Sequence, residues 1–177
     1  MIQTLLKIST PSIRLNLGCP KYCNEYVCID TNPINDKVIK ADVLSYITTY
    51  EENSIDEIYS KNLLEHLTEI NTFMSNCFNV LRPNGRIVII TDNAEFLPYY
   101  IPFIHRFGIG AHSSNKYFDN YKYQNCTPHY MLFTKMHLIN IMQKYGFQVL
   151  ECKRDIKTLG ARLICKAIKP ISLERQS

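Results

Sequence analysis

The run Arg86-Ile-Val-Ile-Ile-Thr91 sets four apolar residues side by side. A strand without polar alternation expects cover on both faces, as at the centre of a parallel sheet. A chain built around such a strand must supply neighbouring strands and the helices to cover them, and this sequence offers both. Ile13 to Leu17 alternates and stops at Gly18 and Pro20. Tyr26 to Ile29 closes on Asp30, Val38 and Ile39 lead to Ala41-Asp42, and Ile55 to Tyr59 leads to Ser60-Lys61-Asn62. Each segment is short, apolar and followed by turn formers. Leu63, Leu64, Leu67, Ile70, Phe73, Met74, Cys77, Phe78 and Leu81 then recur at helical spacing. They predict one helix over 63–81, ended by Pro83-Asn84-Gly85. A further helix is predicted from Met136 to Tyr145, with Thr134 as its N-cap and Gly146 at its C-terminal end. Residues 147–152 and 161–168 read as two closing strands. Strands interleaved with helices predict an α/β fold with a mostly parallel sheet.

Composition bounds the rest. With 177 residues, 46% of them hydrophobic, the chain can bury one core but has no length for a second large domain. A single domain over 1–170 with a tail at 171–177 is expected. The seven cysteines are odd in number and form no Cys-x-x-Cys pair. The N-terminus lacks a signal-peptide pattern, and no 18-residue apolar run suggests a membrane span. A reducing cytoplasm is the expected location. A net charge of +4 is too small a surplus to point to nucleic acid.

In an open parallel sheet, ligands bind beyond the carboxyl ends of the strands, where the strand order reverses. Those ends carry Asn16-Leu17-Gly18-Cys19, Asp30, Asp42-Val43 and Lys61-Asn62. A glycine there admits a close backbone approach, and an aspartate can accept two hydrogen bonds from a ribose. Leu15-Asn-Leu-Gly-Cys19, Val27-Cys-Ile-Asp30, Ala41-Asp42, Ile55-Asp-Glu-Ile-Tyr59, Leu64-Glu-His-Leu67 and Leu81-Arg-Pro-Asn-Gly-Arg-Ile-Val88 form an ordered set over close to half the chain. In that order the sequence resembles the class I S-adenosylmethionine-dependent methyltransferases, in their small-molecule or saccharide-type branch. The resemblance implies a Rossmann-like sheet of seven strands, mostly parallel with a closing antiparallel strand. It also implies S-adenosyl-L-methionine as cofactor. Asn16, Gly18 and Cys19 would line its methionine part, Asp30 would hold the ribose, Asp42 and Val43 would border the adenine, and Lys61 and Asn62 would border the reaction centre. Only eleven residues separate Gly18 from Asp30, too few for a full crossover helix and a strand, so the first crossover helix is expected to be shortened or absent. Pro20 stands where the family usually writes a second glycine.

His66, one helical turn beyond Asn62 on the predicted helix, is the candidate for proton removal, beside the plainer reading of a partly buried histidine satisfied by a neighbour. Residues 92–134 lack a period and concentrate Tyr, Phe, His and Asn, which suits a lid, a clamp for a planar or sugar-like acceptor, or a dimer surface. Cys126-Thr-Pro-His129 has ligand-like spacing but no second pair, so no metal is expected. The function expected is methyl transfer to a small-molecule or glycan acceptor. The alternative, raised by Pro20 and the short crossover, is a catalytically inactive methyltransferase-like binding module.

Overall fold

The computed structural model describes residues 12–101 and 129–171. Seven strands lie in one sheet: β1 (Arg14–Leu17), β2 (Val27–Asp30), β3 (Ile39–Lys40), β4 (Ile55–Lys61), β5 (Leu81–Asp92), β6 (Gln148–Arg154) and β7 (Arg162–Ile168). Their order is β3-β2-β1-β4-β5-β7-β6. The first five are parallel to one another, and β7 is antiparallel to both β5 and β6. The mostly parallel, Rossmann-like sheet with a closing antiparallel strand is therefore present. Residues 18–26 cross from β1 to β2 without a helix, so the first crossover helix is absent. So short a span that also contains Pro20 cannot nucleate one.

Strand alternation sends one set of side chains into the core. Leu15, Ile58, Ile87 and Ala167 lie in one cross-strand row, and Leu17, Ser60, Ile89 and Cys165 in the next. All are fully or nearly fully buried. Among the described residues three helices cover this face: α1 (Val43–Ile47), α2 (Ile70–Val80) and α3 (Lys135–Lys144). They contribute Val43 and Ile47, then Phe73, Met74 and Cys77, then Leu138 and Met142.

The opposite face is polar. Cys28, Asn16, Tyr59, Val88 and Lys166 form a row across it, and Arg14, Glu57 and Arg86 form the row below. The Glu57 carboxylate sits between Arg86 at 2.9 Å and Arg14 at 3.9 Å. Among the described residues no helix covers this side, which is where the missing first crossover would lie. The two-sided cover expected for the apolar run of β5 is thus realised on one side only: Ile87 and Ile89 are fully buried, whereas Val88 and Ile90 are half-buried.

The single helix predicted over 63–81 is broken in two. Leu64–His66 form one 3-10 turn, Leu67 is extended with φ −89° and ψ 133°, and α2 begins only at Ile70. Tertiary bonds override the helical period here. The Glu65 carboxylate accepts from the Thr91 hydroxyl at 2.7 Å, and its carbonyl accepts from the Tyr130 N–H at 2.8 Å. His66 therefore lies on a tight turn rather than on a helix. The predicted stop at Pro83-Asn84-Gly85 is also corrected, because β5 starts at Leu81. It absorbs the segment as an irregularity: Ile55 pairs with Leu81 and Glu57 already with Arg86.

Candidate functional site

β1 and β4 are neighbours, but the chain leaves β1 toward β2 and leaves β4 toward β5, so the strand order reverses between them. Gly18 and Asn62 directly follow these two strands, at the position where an open sheet leaves a crevice. Gly18 has φ +73°, and a Cβ on it would lie 2.9 Å from the Leu63 Cβ. Its N–H and that of Cys19 both donate to the Ile29 carbonyl, at 2.9 and 3.2 Å, which bends the loop over β2. The Pro20 carbonyl accepts from the Ile34 N–H at 2.9 Å and ties the loops after β1 and β2 together. The loop is thus held by main-chain bonds in place of a helix.

At the end of β2, Asp30 Oδ1 accepts from the Asn32 N–H at 2.7 Å. This turn fixes the carboxylate at the strand end while leaving its remaining lone pairs for a ligand. Asp42 caps α1, accepting from the Ser45 N–H at 3.0 Å. Val43 buries its side chain in the core and offers only main chain to the crevice. Lys61 is exposed. Asn62 has φ +54°, donates its N–H to the Ile90 carbonyl at 2.8 Å, and holds a buried Oδ1 without a hydrogen-bond partner. An amide oxygen of that kind suits a donor such as an ammonium group.

Gly18, Asp30, Asp42 and Asn62 thus border the strand ends, as the sequence analysis expects. Asn16 and Cys19 differ. Asn16 is mid-strand, and alternation turns it to the polar face, where its Nδ2 meets the Cys23 sulfur at 3.5 Å. It lines a cavity of about 380 Å³ together with Cys23, Asn24, Glu25, Tyr26 and Tyr59. The Cys19 thiol turns back onto the Lys21 carbonyl at 2.9 Å.

A second cluster was not legible in the sequence. Glu65, His66 and His129 bring one ligand-type atom each within 4.8 Å of one another. The two imidazoles meet edge to face with ring centroids 4.6 Å apart. Asp92 Oδ2 stands 3.3 Å from His129 Nδ1, and Arg162 approaches the other Asp92 oxygen at 3.9 Å. Glu65 is fully buried. Burial pushes its carboxyl up to about 7, against the opposing pull of its backbone hydrogen bond and of the Thr91 hydroxyl. Its Oε2 is taken by Thr91, while Oε1 has no hydrogen-bond partner. The sequence pointed to His66 and, separately, to the Cys126–His129 spacing, but not to their meeting, because the partners arrive from β5 and from the far side of the aromatic segment. Most of that segment (102–128), with His112 and Cys126, lies outside the described residues.

The methyltransferase domain family matches residues 15–152 of this chain. The mitochondrial ubiquinone biosynthesis O-methyltransferase of Rattus norvegicus is 32% identical over 72 residues, which is 40% of this chain and 21% of that protein. The human counterpart is 33% identical over 70 residues, 38% of this chain and 19% of its own length. The chain therefore spans about a fifth of the curated relatives it matches. Among solved structures, the 1,6-didemethyltoxoflavin-N1-methyltransferase of Burkholderia thailandensis, with bound 1,6-didemethyltoxoflavin and S-adenosylhomocysteine, superposes with a TM-score of 0.61 at 14% identity. The match covers 90% of this chain and 72% of that one. At this identity the likeness speaks for the fold.

Proposed function

This chain belongs to the methyltransferase domain family and takes S-adenosylmethionine as its cofactor, and from that premise we propose that it transfers a methyl group to a small-molecule or glycan acceptor. The observation that carries the reading is the set of groups at the switch point: a left-handed Gly18, the Asp30 carboxylate held by its turn, and the buried, partnerless Asn62 Oδ1. These fit a ligand that brings a ribose diol and an ammonium group. When bound, the cofactor supplies an electrophilic methyl on a sulfonium. In our reading Asp30 accepts from the two ribose hydroxyls, the Gly18-Cys19 backbone borders the amino-acid end, the main chain at Asp42-Val43 borders the adenine, and Lys61 and Asn62 flank the reacting atoms. Asn16, which faces the polar side of the sheet, supports the loop through Cys23 rather than touching the ligand.

Rate in such a reaction comes from aligning the nucleophile and excluding water. The Glu65–His66–His129 group provides polar atoms to orient an acceptor hydroxyl, so oxygen is the acceptor atom we favour. Loss of the first crossover helix, which raises the inactive-module alternative, leaves all of these strand-end groups in place. The proposed setting is a reducing cytoplasm, in keeping with six described cysteines that stand as free thiols. No described helix is long and apolar enough to cross a membrane.

Isothermal calorimetry of the full chain with S-adenosylmethionine and S-adenosylhomocysteine, followed by transfer of isotope-labelled methyl to a panel of hydroxylated sugars and phenols, tests the reading. Saturable 1:1 binding of both nucleosides and label in at least one hydroxylated acceptor are expected. Absence of binding by either nucleoside overturns it.

A further inference from the structure

The cluster at Glu65, His66 and His129 has the makings of more than an acceptor cradle. Two imidazoles and one carboxylate converge within 4.8 Å. The carboxylate is fully buried, with one oxygen satisfied by Thr91 and the other, Oε1, without a partner. A buried carboxylate oxygen left unpartnered is costly unless something cationic or a proton takes it. Among the described residues, Glu65 and Asp92 bring two carboxylates to this place, with the guanidinium of Arg162 at 3.9 Å from Asp92.

The environment of His129 is that of a metal ligand rather than of a surface histidine. Its Nδ1 faces the Asp92 carboxylate at 3.3 Å, and both side chains are almost completely buried. A carboxylate this close to one imidazole nitrogen stands where the outer-shell partner of a histidine ligand stands at metal sites. The second imidazole, His66, follows Glu65 directly on a 3-10 turn that Leu63, Thr91 and Tyr130 fix through hydrogen bonds to its backbone and to Glu65. Two donors are therefore held on one turn, and the third is positioned from β5.

We propose that Glu65, His66 and His129 bind one divalent transition-metal ion. Two nitrogen donors and one oxygen donor favour Zn²⁺, Mn²⁺, Co²⁺ or Fe²⁺ over Mg²⁺ or Ca²⁺, which prefer all-oxygen shells. Three protein ligands leave coordination positions open, the pattern of a working rather than a structural site. The position suits a hydroxyl oxygen of the acceptor, and this one clause rests on the methyl-transfer reading above; the metal site itself does not. A sequence search for paired ligands misses it because only Glu65-His66 are adjacent, and the expectation of no metal came from the Cys126–His129 spacing.

The test is Co²⁺ titration of the chelator-stripped full chain, read by visible d–d absorption and by competition with Zn²⁺. It proceeds in parallel with nucleoside calorimetry on the same preparation, so that failure of the metal site and failure of the methyltransferase reading are separately visible. The expected result is uptake of one equivalent with a nitrogen–oxygen spectrum free of thiolate charge transfer. His129→Ala and His66→Ala should each weaken it at least about tenfold, and Asp92→Asn about 10–100-fold through loss of the outer-shell contact. Cys23→Ser should leave it unchanged. Because Glu65 is buried and Glu65→Gln could misfold, the two histidine variants carry the test, each checked for an unaltered circular dichroism spectrum. No uptake by the wild-type chain overturns the proposal. So does uptake indifferent to both histidine variants, or uptake lost with Cys23→Ser, which would reveal an adventitious thiolate site.

Discussion

Replacing Asp30 with alanine should weaken S-adenosylhomocysteine binding at least about 100-fold, or about 2.7 kcal/mol, with the fold intact. Two hydrogen bonds from ribose hydroxyls to an ionised carboxylate contribute about 1.5–3 kcal/mol each. Within the protein the same carboxylate accepts a hydrogen bond from the Asn32 N–H at 2.7 Å. Its loss should cost about 1 kcal/mol of stability. The informative contrast is Asp42→Ala. Asp42 accepts from the Ser45 N–H and the Ser45 hydroxyl as the cap of α1, so its removal should lower stability by about 1 kcal/mol and affinity by less than about tenfold. Calorimetry for binding and urea unfolding for stability separate the two aspartates. If Asp30→Ala binds within about threefold of the wild type, the ribose assignment is wrong.

The second large effect is on stability. Gly18→Ala should cost about 2–5 kcal/mol, because two penalties act together. A left-handed φ of +73° costs an alanine about 1–2 kcal/mol. The new methyl would also meet Leu63 Cβ at 2.9 Å and Cδ1 at 3.0 Å, an overpacking worth about 1–3 kcal/mol. Leu63→Gly in the same chain, which removes the Cβ as well as the Cγ and Cδ1 contacts, relieves the second penalty but not the first. A double-mutant cycle by chemical denaturation should therefore show the pair losing less than the sum of the singles by about 1 kcal/mol or more. Strict additivity would mean that the loop after β1 moves away from Leu63 instead of being braced by it. The effect separates two roles of this glycine: the room its missing Cβ leaves is filled by Leu63, while its N–H secures the loop to Ile29.

What the sequence revealed and what it hid divide along the range of the interactions. Strands are local: the apolar runs at 14–17, 55–61 and 86–92 and the polar residues that end them were readable because alternation and turn chemistry act over a few positions. The missing crossover helix was readable too, since residue count alone excludes it. The helix predicted over 63–81 failed at 64–69 because its period was right for packing, while Thr91 and Tyr130, distant in sequence, bind Glu65 and hold the chain in a turn. The Glu65–His66–His129 cluster was hidden for the same reason: its members belong to a turn after β4 and to the segment that returns after β5. The one-sided cover of β5 was likewise invisible, since four apolar residues in a row do not say which neighbour is absent.

The most direct measurement of the central claim is a crystal structure of the full chain grown with S-adenosylhomocysteine. The account predicts the nucleoside beyond the carboxyl ends of β1 and β2, with both ribose hydroxyls within hydrogen-bond distance of the Asp30 carboxylate and the amino-acid end between Gly18 and Asn62. A nucleoside seated instead in the cavity lined by Asn16, Tyr26 and Tyr59 on the polar face, or no nucleoside at saturating concentration, would contradict it.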